Sequence, residues 1–469
     1  MNNKKKIVII GAGPAGLTAG WELVSRAGET FDVTILEASE SVGGMAKSVS
    51  YNGNIMDVGG HRFFSKEERV LNWWQAFFQR DGKISELMLR NRRASIYYSD
   101  SFFDYPITFR LANIKKLGFS NAWRAGVSYL ASCIKPRKEE SLEDFYMNRF
   151  GRKLYAMFFE EYTKKLCGVH PKEISPEWGA QRVRGLSLGK ILRERFNKKG
   201  WQTREGLLSP SLFYYPKGGP GQLWSTVAEE IVQNGGTIRL NCNVKSLHQK
   251  EDGTIDFVTV ETEQGTESIS GDIFISSMPL NKMLSTMNLV PKDIKKIAQA
   301  LPYRSFMSVG LVVDHLLMDV PDCWIYVHAE DVKVCRIQFY ENWSPYLLKE
   351  SGEKRFLALE YFCDEHDELW SLSEEESMEL AVKEAIKLKI LDEKVQIHDF
   401  HRECIAQAYP GYYGAYAEVG KIKQYLESVA NLHCIGRNGQ HKYWNMDRCM
   451  ISAWDAVEQI LQSEEARYF

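Results

Sequence analysis

Lys6-Ile7-Val8-Ile9-Ile10, then Gly11-Ala12-Gly13-Pro14-Ala15-Gly16, then Leu17-Thr18-Ala19-Gly20-Trp21-Glu22-Leu23 form one unbroken run near the start of the chain. The first piece is apolar and largely β-branched, the pattern of a strand buried on both faces. The last has helical spacing. Between them stands GxGxxG, in the strand-to-helix context that the motif requires. Gly11 permits the tight turn, Gly13 lets backbone approach a pyrophosphate, and Gly16 lets the helix pack closely on the strand. Pro14 and Ala15 open the helix, whose N-terminus offers N–H groups and partial positive charge to phosphate. A second strand, Phe31 to Leu36, ends in Glu37, 21 residues past Gly16. That is the place for a carboxylate accepting the ribose hydroxyls. A bare glycine turn is the common fate of GxGxxG; strand, glycines, helix, strand and acid in register predict a dinucleotide site.

After Glu37 the chain reads Ala38-Ser39-Glu40-Ser41-Val42-Gly43-Gly44-Met45-Ala46. An acid followed by a GG turn resembles the FAD-binding flavoproteins of the amine oxidase and glutathione reductase type. The resemblance implies FAD rather than NAD, with Ala38, Gly43, Gly44 and Met45 beside its phosphates and ribityl chain. In that group the end of the chain returns to the cofactor. Here Asn431 to Ile435 reads as a strand, Gly436-Arg437 as a turn and Met450 to Ile460 as an amphipathic helix. On the residues alone, a plain terminal αβ unit fits as well. Gly235 to Val244, Ile255 to Val260, Glu267 to Ser270 and Asp272 to Ser277 supply further strands. Val244 is a candidate adenine contact, although a core valine is the commoner role.

The 469 residues suggest two or three domains, at roughly 150 residues each. The expected fold is α/β. A discontinuous Rossmann-type FAD-binding domain over 1–65, 213–290 and 400–469 is interrupted twice: by a helical substrate cap over 66–212 and an antiparallel β-sheet substrate region over 291–399. Trp73, Trp74, Phe77 and Phe78 stand at helical spacing, as core of the cap. Hydrophobic residues make up 44% and charged residues 26%, which excludes disordered, fibrous and coiled-coil chains. With 59 basic and 61 acidic residues the net charge is −2. No overall field points to nucleic acid or an anionic membrane. The 12% aromatic content suits a ring-shaped ligand or a bulky core. The apolar run after Met1–Lys6 is short for a signal peptide, and no stretch reaches the ~20 residues of a membrane span. Nine scattered cysteines without CxxC, and histidines without ligand spacing, predict a cytoplasmic protein with reduced thiols and no metal.

Several longer segments carry a more specific likeness. They are Asp57-Val58-Gly59-Gly60-His61-Arg62-Phe63-Phe64, Ser95 to Tyr98 with Phe103 to Pro106, and Glu161-Tyr162-Thr163-Lys164-Lys165-Leu166-Cys167-Gly168. Gln181-Arg182, Pro302-Tyr303-Arg304-Ser305, Val334-Cys335-Arg336-Ile337 and Gly436-Arg437 through Lys442-Tyr443-Trp444-Asn445-Met446 follow in order. Together they resemble the UDP-galactopyranose mutases over nearly the whole chain. The chain departs from that pattern at Gly60 (Ala in the family), Cys167 (Trp), Trp444 (Tyr) and Asn445 (Asp). These changes reshape the sugar pocket more than the diphosphate or FAD sites.

The resemblance implies ring isomerisation of a nucleotide sugar, pyranose to furanose, through N5 of reduced flavin, as in cell-surface polysaccharide biosynthesis. It places His61, Arg182 and Arg304 at the reacting centre. Tyr162, Thr163, Cys167, Arg336, Tyr409 and Tyr443 then lie about the substrate. Gly60, His61, Gly436, Arg437, Asn445 and Met446 lie about the flavin, and a homodimer is the usual assembly. A nucleotide diphosphate needs planar bidentate donors, which arginine supplies; taken singly, each arginine is more often an ion-pair or surface residue. The FAD motifs fit equally an oxidase or desaturase of the amine oxidase or protoporphyrinogen oxidase kind. No nucleic acid or integral membrane contact is expected.

Overall fold

The computed structural model describes residues 4–80, 82, 84–105, 111–182, 211–350 and 352–465. The first half runs β1 (Lys5–Ile10), α1 (Pro14–Ala27), β2 (Phe31–Leu36), β3 (Ser48–Tyr51), β4 (Asn54–Asp57), α2 (Glu68–Arg80), β5 (Leu87–Asn91), β6 (Ala94–Tyr98) and β7 (Ser101–Asp104). Helices α3 (Phe119–Ile134), α4 (Leu142–Tyr155) and α5 (Glu161–Cys167) follow, then β8 (Leu212–Pro216) and α6 (Pro220–Gln233). Then come β9 (Thr237–Arg239), β10 (Asn243–Gln249), β11 (Ile255–Thr262), β12 (Gly265–Ser270) and β13 (Ile273–Ser276). The rest holds β14 (Tyr303–Val313), β15 (Trp324–Val327), β16 (Arg336–Phe339), β17 (Arg355–Cys363), β18 (Ile397–Pro410), β19 (Leu432–Cys434) and α7 (Met446–Glu465).

Five strands form a parallel sheet in the order β19-β13-β1-β2-β9. Parallel strands need crossovers and cover on both faces. The alternation along β1 provides for both. Ile7 and Ile9 pack with α1, α6 and α7 through Leu17, Leu23, Val227 and Val457. Val8 and Ile10 turn the other way, onto Leu247, Val258 and Val260 of the antiparallel β10-β11-β12 sheet. This α/β layering is the expected fold. Trp73, Trp74, Phe77 and Phe78 are buried, but in the core of this layer beside Trp224 rather than in a separate helical cap.

A second sheet has seven strands in the order β18-β14-β17-β16-β15-β6-β7, antiparallel except for the β15–β6 pair. Strands β6 and β7 come from the stretch read as helical; β15 offers them an edge far away in sequence. The period of two again sorts side chains. Ile325, Val327, Ile337, Phe339, Leu357 and Leu359 face a core that includes Ala381 and Ala385. Trp324, Tyr326, His328, Arg336 and Gln338 face the opposite way, into a cavity.

Asp57, at the end of β4, ties these layers together. It is fully buried. Its carboxylate accepts hydrogen bonds from Tyr215 Oη and from Ser48 Oγ (2.7 Å), and Tyr340 Oη donates to its carbonyl (2.6 Å). Burial pushes its pKa up to about 7, against the two hydroxyls that pull it down. The folded state therefore holds a proton that the unfolded chain, with a carboxylate near 3.9, has released. Asp57's contribution to stability falls as pH rises from about 4 to about 7 and is level above that. The change is on the order of 4 kcal/mol, from roughly three pKa units. Thermal scans from pH 4.5 to 8 should show a negative slope that Asp57→Asn flattens; identical slopes in the two proteins would sink the assignment.

Candidate active site

One cavity of about 920 Å³ runs from the glycine turns to the inner face of the seven-stranded sheet. At the first end the sequence dictates the backbone closely. Gly11 has φ +99°, and a Cβ there would lie 2.2 Å from Ser277 Oγ; a Cβ on Gly16 would lie 1.9 Å from the Gly11 carbonyl oxygen. Gly44 (φ +53°) brings the second turn against the first, its Cβ position 3.1 Å from Gly13 Cα. Helix α1 begins at Gly13 with no side-chain cap, so its first N–H groups remain open to an anion. Glu37 is fixed from two sides. Ala12 N–H donates to Oε2 (2.7 Å), while Ser39 N–H (3.0 Å) and Oγ (2.8 Å) donate to Oε1. Turns, open helix end and oriented carboxylate fit the diphosphate and ribose of a dinucleotide.

In the middle, His61 Nδ1 lies 3.1 Å from the Gly59 carbonyl oxygen. Burial, and secondarily the Arg437 charge, push its pKa down to about 4. The imidazole is thus neutral at neutral pH, Nδ1–H donating to Gly59 and Nε2 left as an acceptor. Arg437 is held by the carbonyls of Trp444 (2.7 Å) and Ala408 (3.3 Å). Its guanidinium sits 5.1 Å from the ring centroids of both Tyr409 and Tyr443, which stack on each other at 5.2 Å.

At the sheet end, register builds a polar cluster. Arg336 on β16 stands opposite Glu360 on β17. Glu360 is fully buried and accepts from Arg336 Nε and from Gln338 Nε2 (2.8 Å). Tyr162 stacks on His328 at 4.6 Å and meets Tyr326 edge-on at 5.7 Å. Tyr326 in turn touches Tyr105, over which lies Arg92. Arg62 completes this wall. Arg62 Nη1 and Arg92 Nε are buried without hydrogen-bond partners. Among the described residues neither arginine has a carboxylate partner. Burial first, then the neighbouring Arg92 charge, lowers the Arg62 pKa. Tyr146, Phe150, Leu154, Phe158 and Phe159 form an apolar side of the same cavity.

Most residues singled out in the sequence meet here: Gly11, Gly13, Pro14, Ala15, Glu37, Gly44, Met45, Gly60, His61, Tyr162, Thr163, Arg336, Tyr409, Gly436, Arg437, Tyr443, Asn445 and Met446 line the cavity. Others do not reach its wall. Gly16 and Gly43 are buried supports of the turns, and Ala38 is exposed. Val244 packs among Leu36, Cys242 and Val260, a core valine. Cys167 and Arg304 line a separate void of about 20 Å³ with Tyr413. Arg304 shares a strand face with Phe306, but its guanidinium turns to the rim of the sheet. There it pairs with Asp364 and donates to the Phe362 carbonyl (2.9 Å). Arg182 ends the short helix Pro176–Arg182; its side chain lies outside the described residues, as does Pro106. Three converging arginines were expected; of the two whose side chains are described, Arg336 lies on the cavity wall and Arg304 does not. Arg62, Arg92, Gln338 and Glu360 were not singled out. Its place next to His61 in the chain is the one sequence signal by which Arg62 could have been found.

A parallel βαβ unit with this glycine geometry, closed by a distant C-terminal turn and an antiparallel sheet, defines an FAD-dependent flavoprotein. The chain belongs to the flavin-containing amine oxidoreductase family, whose pattern matches residues 14–461. It is 37% identical over 332 residues to an L-amino-acid oxidase of Crotalus adamanteus, covering 66% of this chain and 58% of that protein. It is 22% identical over 220 residues to protoporphyrinogen oxidase 2 of Arabidopsis thaliana, covering 44% and 42%. The matched part thus spans about half the length of such relatives. In fold, the chain is similar to a reduced UDP-galactopyranose mutase, with TM-score 0.80, 22% identity and coverage of 98% and 94%. Among the described residues no helix is long and apolar enough to cross a membrane.

Proposed function

We propose that this FAD enzyme acts on a nucleotide sugar, isomerising the sugar ring in the manner of a mutase. The observation that carries the reading is a pair of half-buried arginines on the cavity wall, Arg62 and Arg92, each with one buried guanidinium nitrogen that has no hydrogen-bond partner (Nη1 and Nε). Two neighbouring like charges, each partly withdrawn from water, favour an anion between them, and a diphosphate supplies it with bidentate geometry. Tyr105, Tyr162 and Tyr326 offer faces for a base or sugar ring, and Arg336, oriented by Glu360, adds a third cation. His61 keeps an acceptor nitrogen over the middle of the cavity. The glycine turns and Arg437 would hold FAD, which when bound would supply either a nucleophile or a hydride acceptor. The second reading, a net oxidation, is favoured by the withdrawal of Arg304 into its pair with Asp364.

The test is to reduce the purified holoenzyme without oxygen and offer a panel of nucleotide sugars. A product of altered ring size is the expected result. Substrate-coupled oxygen consumption with no such product would replace the first reading by the second. Arg62→Met with Arg92→Met should weaken nucleotide binding roughly a hundredfold, by the loss of charged hydrogen bonds, while FAD stays bound. Unchanged nucleotide affinity would remove the anion argument.

A further inference from the structure

Helix α3 is inside out. Its outer face carries Phe119, Trp123, Val127, Leu130 and Ile134, at helical spacing and 84%, 69%, 50%, 62% and 85% exposed. They are five of the twelve large exposed apolar side chains among the described residues, so this apolar surface is concentrated rather than scattered. The inner face is small and polar. Ala125 is buried, Ser128 Oγ accepts from Lys153 N–H (3.1 Å), and Ser132 bonds back to the Ser128 carbonyl (3.2 Å). This face packs on α4 at Gly151, where a Cβ would lie 2.7 Å from Tyr129 N. An amphipathic helix on a water-soluble surface turns its apolar stripe inward; α3 does the reverse.

Charge accompanies the stripe. From Tyr105 to Lys138 the sequence has seven Lys or Arg and not one Asp or Glu. Lys115, Arg124 and Lys135 are exposed around the helix. Acids return just past this stretch, where Arg137 pairs with Asp144 (3.4 Å) and Lys138 with Glu140 (2.8 Å), so the exposed cations that flank the stripe are Lys115, Arg124 and Lys135.

We propose that α3 docks the enzyme on an anionic lipid bilayer, lying in the plane of the interface with its Phe119–Ile134 stripe among the acyl chains and its cations at the headgroups. Trp and Phe on one side with Lys and Arg around them are the composition of such helices. A second copy of the chain is the poorer occupant. A two-fold contact would set the exposed cations Lys115, Arg124 and Lys135 against their own copies. The docking has a consequence for the site. Helix α4, on which α3 rests, gives Tyr146, Phe150 and Leu154 to the cavity. The bilayer then lies about one helix–helix spacing, ~10 Å, beyond the cavity's apolar side.

The experiment is co-sedimentation of the holoenzyme with phosphatidylcholine vesicles, with and without phosphatidylglycerol. Binding is expected only with phosphatidylglycerol, and added salt should weaken it. Phe119→Ser with Trp123→Ser should weaken it at least about tenfold, the factor that accompanies one buried aromatic side chain. The flavin spectrum and solution turnover should be unchanged. Failure to sediment with phosphatidylglycerol vesicles, or equal sedimentation of the double variant, overturns the proposal. So does a wild-type dimer that the same substitutions convert to a monomer, which would give the face to a second copy.

Discussion

Glu360→Ala should destabilise the protein by about 3–5 kcal/mol, the cost of stranding a buried charge without its partner. Glu360 is fully buried, and Arg336 is mostly so. With the carboxylate gone, the guanidinium keeps its desolvation penalty, and Gln338 loses its acceptor as well. Thermal unfolding of the variant, followed by flavin release, reads the loss. Glu360→Leu combined with Arg336→Met separates two roles. An apolar pair of similar volume should recover most of the stability. Nucleotide affinity should not return, because the cation on the cavity wall is gone. A double variant as unstable as Glu360→Ala would show that Glu360 acts through something other than Arg336.

Glu37→Ala should release FAD. The carboxylate does two things at once: it accepts the Ala12 and Ser39 N–H groups that shape the first turn, and it lines the cavity where a ribose would lie. Hydrogen bonds to a charged group contribute roughly 1.5–3 kcal/mol each. Losing two predicts an FAD affinity weaker by about a hundredfold or more. Apoprotein titrated with FAD, followed by visible absorbance, gives the number. Ser39→Ala, which removes only the hydroxyl contact, is the control and should stay yellow. A Glu37→Ala protein that keeps its colour through gel filtration would refute the assignment.

The nucleotide end was legible in the sequence because its determinants are local. Glycines, helix start and acid fall within one short stretch, and each has a steric or hydrogen-bonding reason to be there. The sheet end was legible only in part. Period two in β16 sets Arg336 and Gln338 on one face, but only the register with β17 brings Glu360 opposite Arg336. No local rule announces that register. Arg304 shows the reverse problem. Its strand was foreseen, but a long flexible side chain at a strand end finds the nearest carboxylate, Asp364. Arg92 reaches the cavity because β6 adds to β15, a pairing between segments more than two hundred residues apart. The Trp-rich helix α2 was read as core, correctly, but its core belongs to the parallel sheet; an amphipathic pattern states that a face is buried, not against what.

The order of the parallel sheet also bears on how the protein is made. Strands β1 and β2 are made well before β13 and β19, but β1's other neighbour is β13, and β13's outer neighbour is β19 at Leu432–Cys434. Gly436 and Arg437, which close the cavity, follow β19 directly. Until β19 is made, the nascent chain therefore holds the glycine turn and Glu37 in a sheet that lacks its far edge. A complete flavin site therefore has to wait for β19 and the turn after it, and FAD acts on a chain in which that distant edge is already paired.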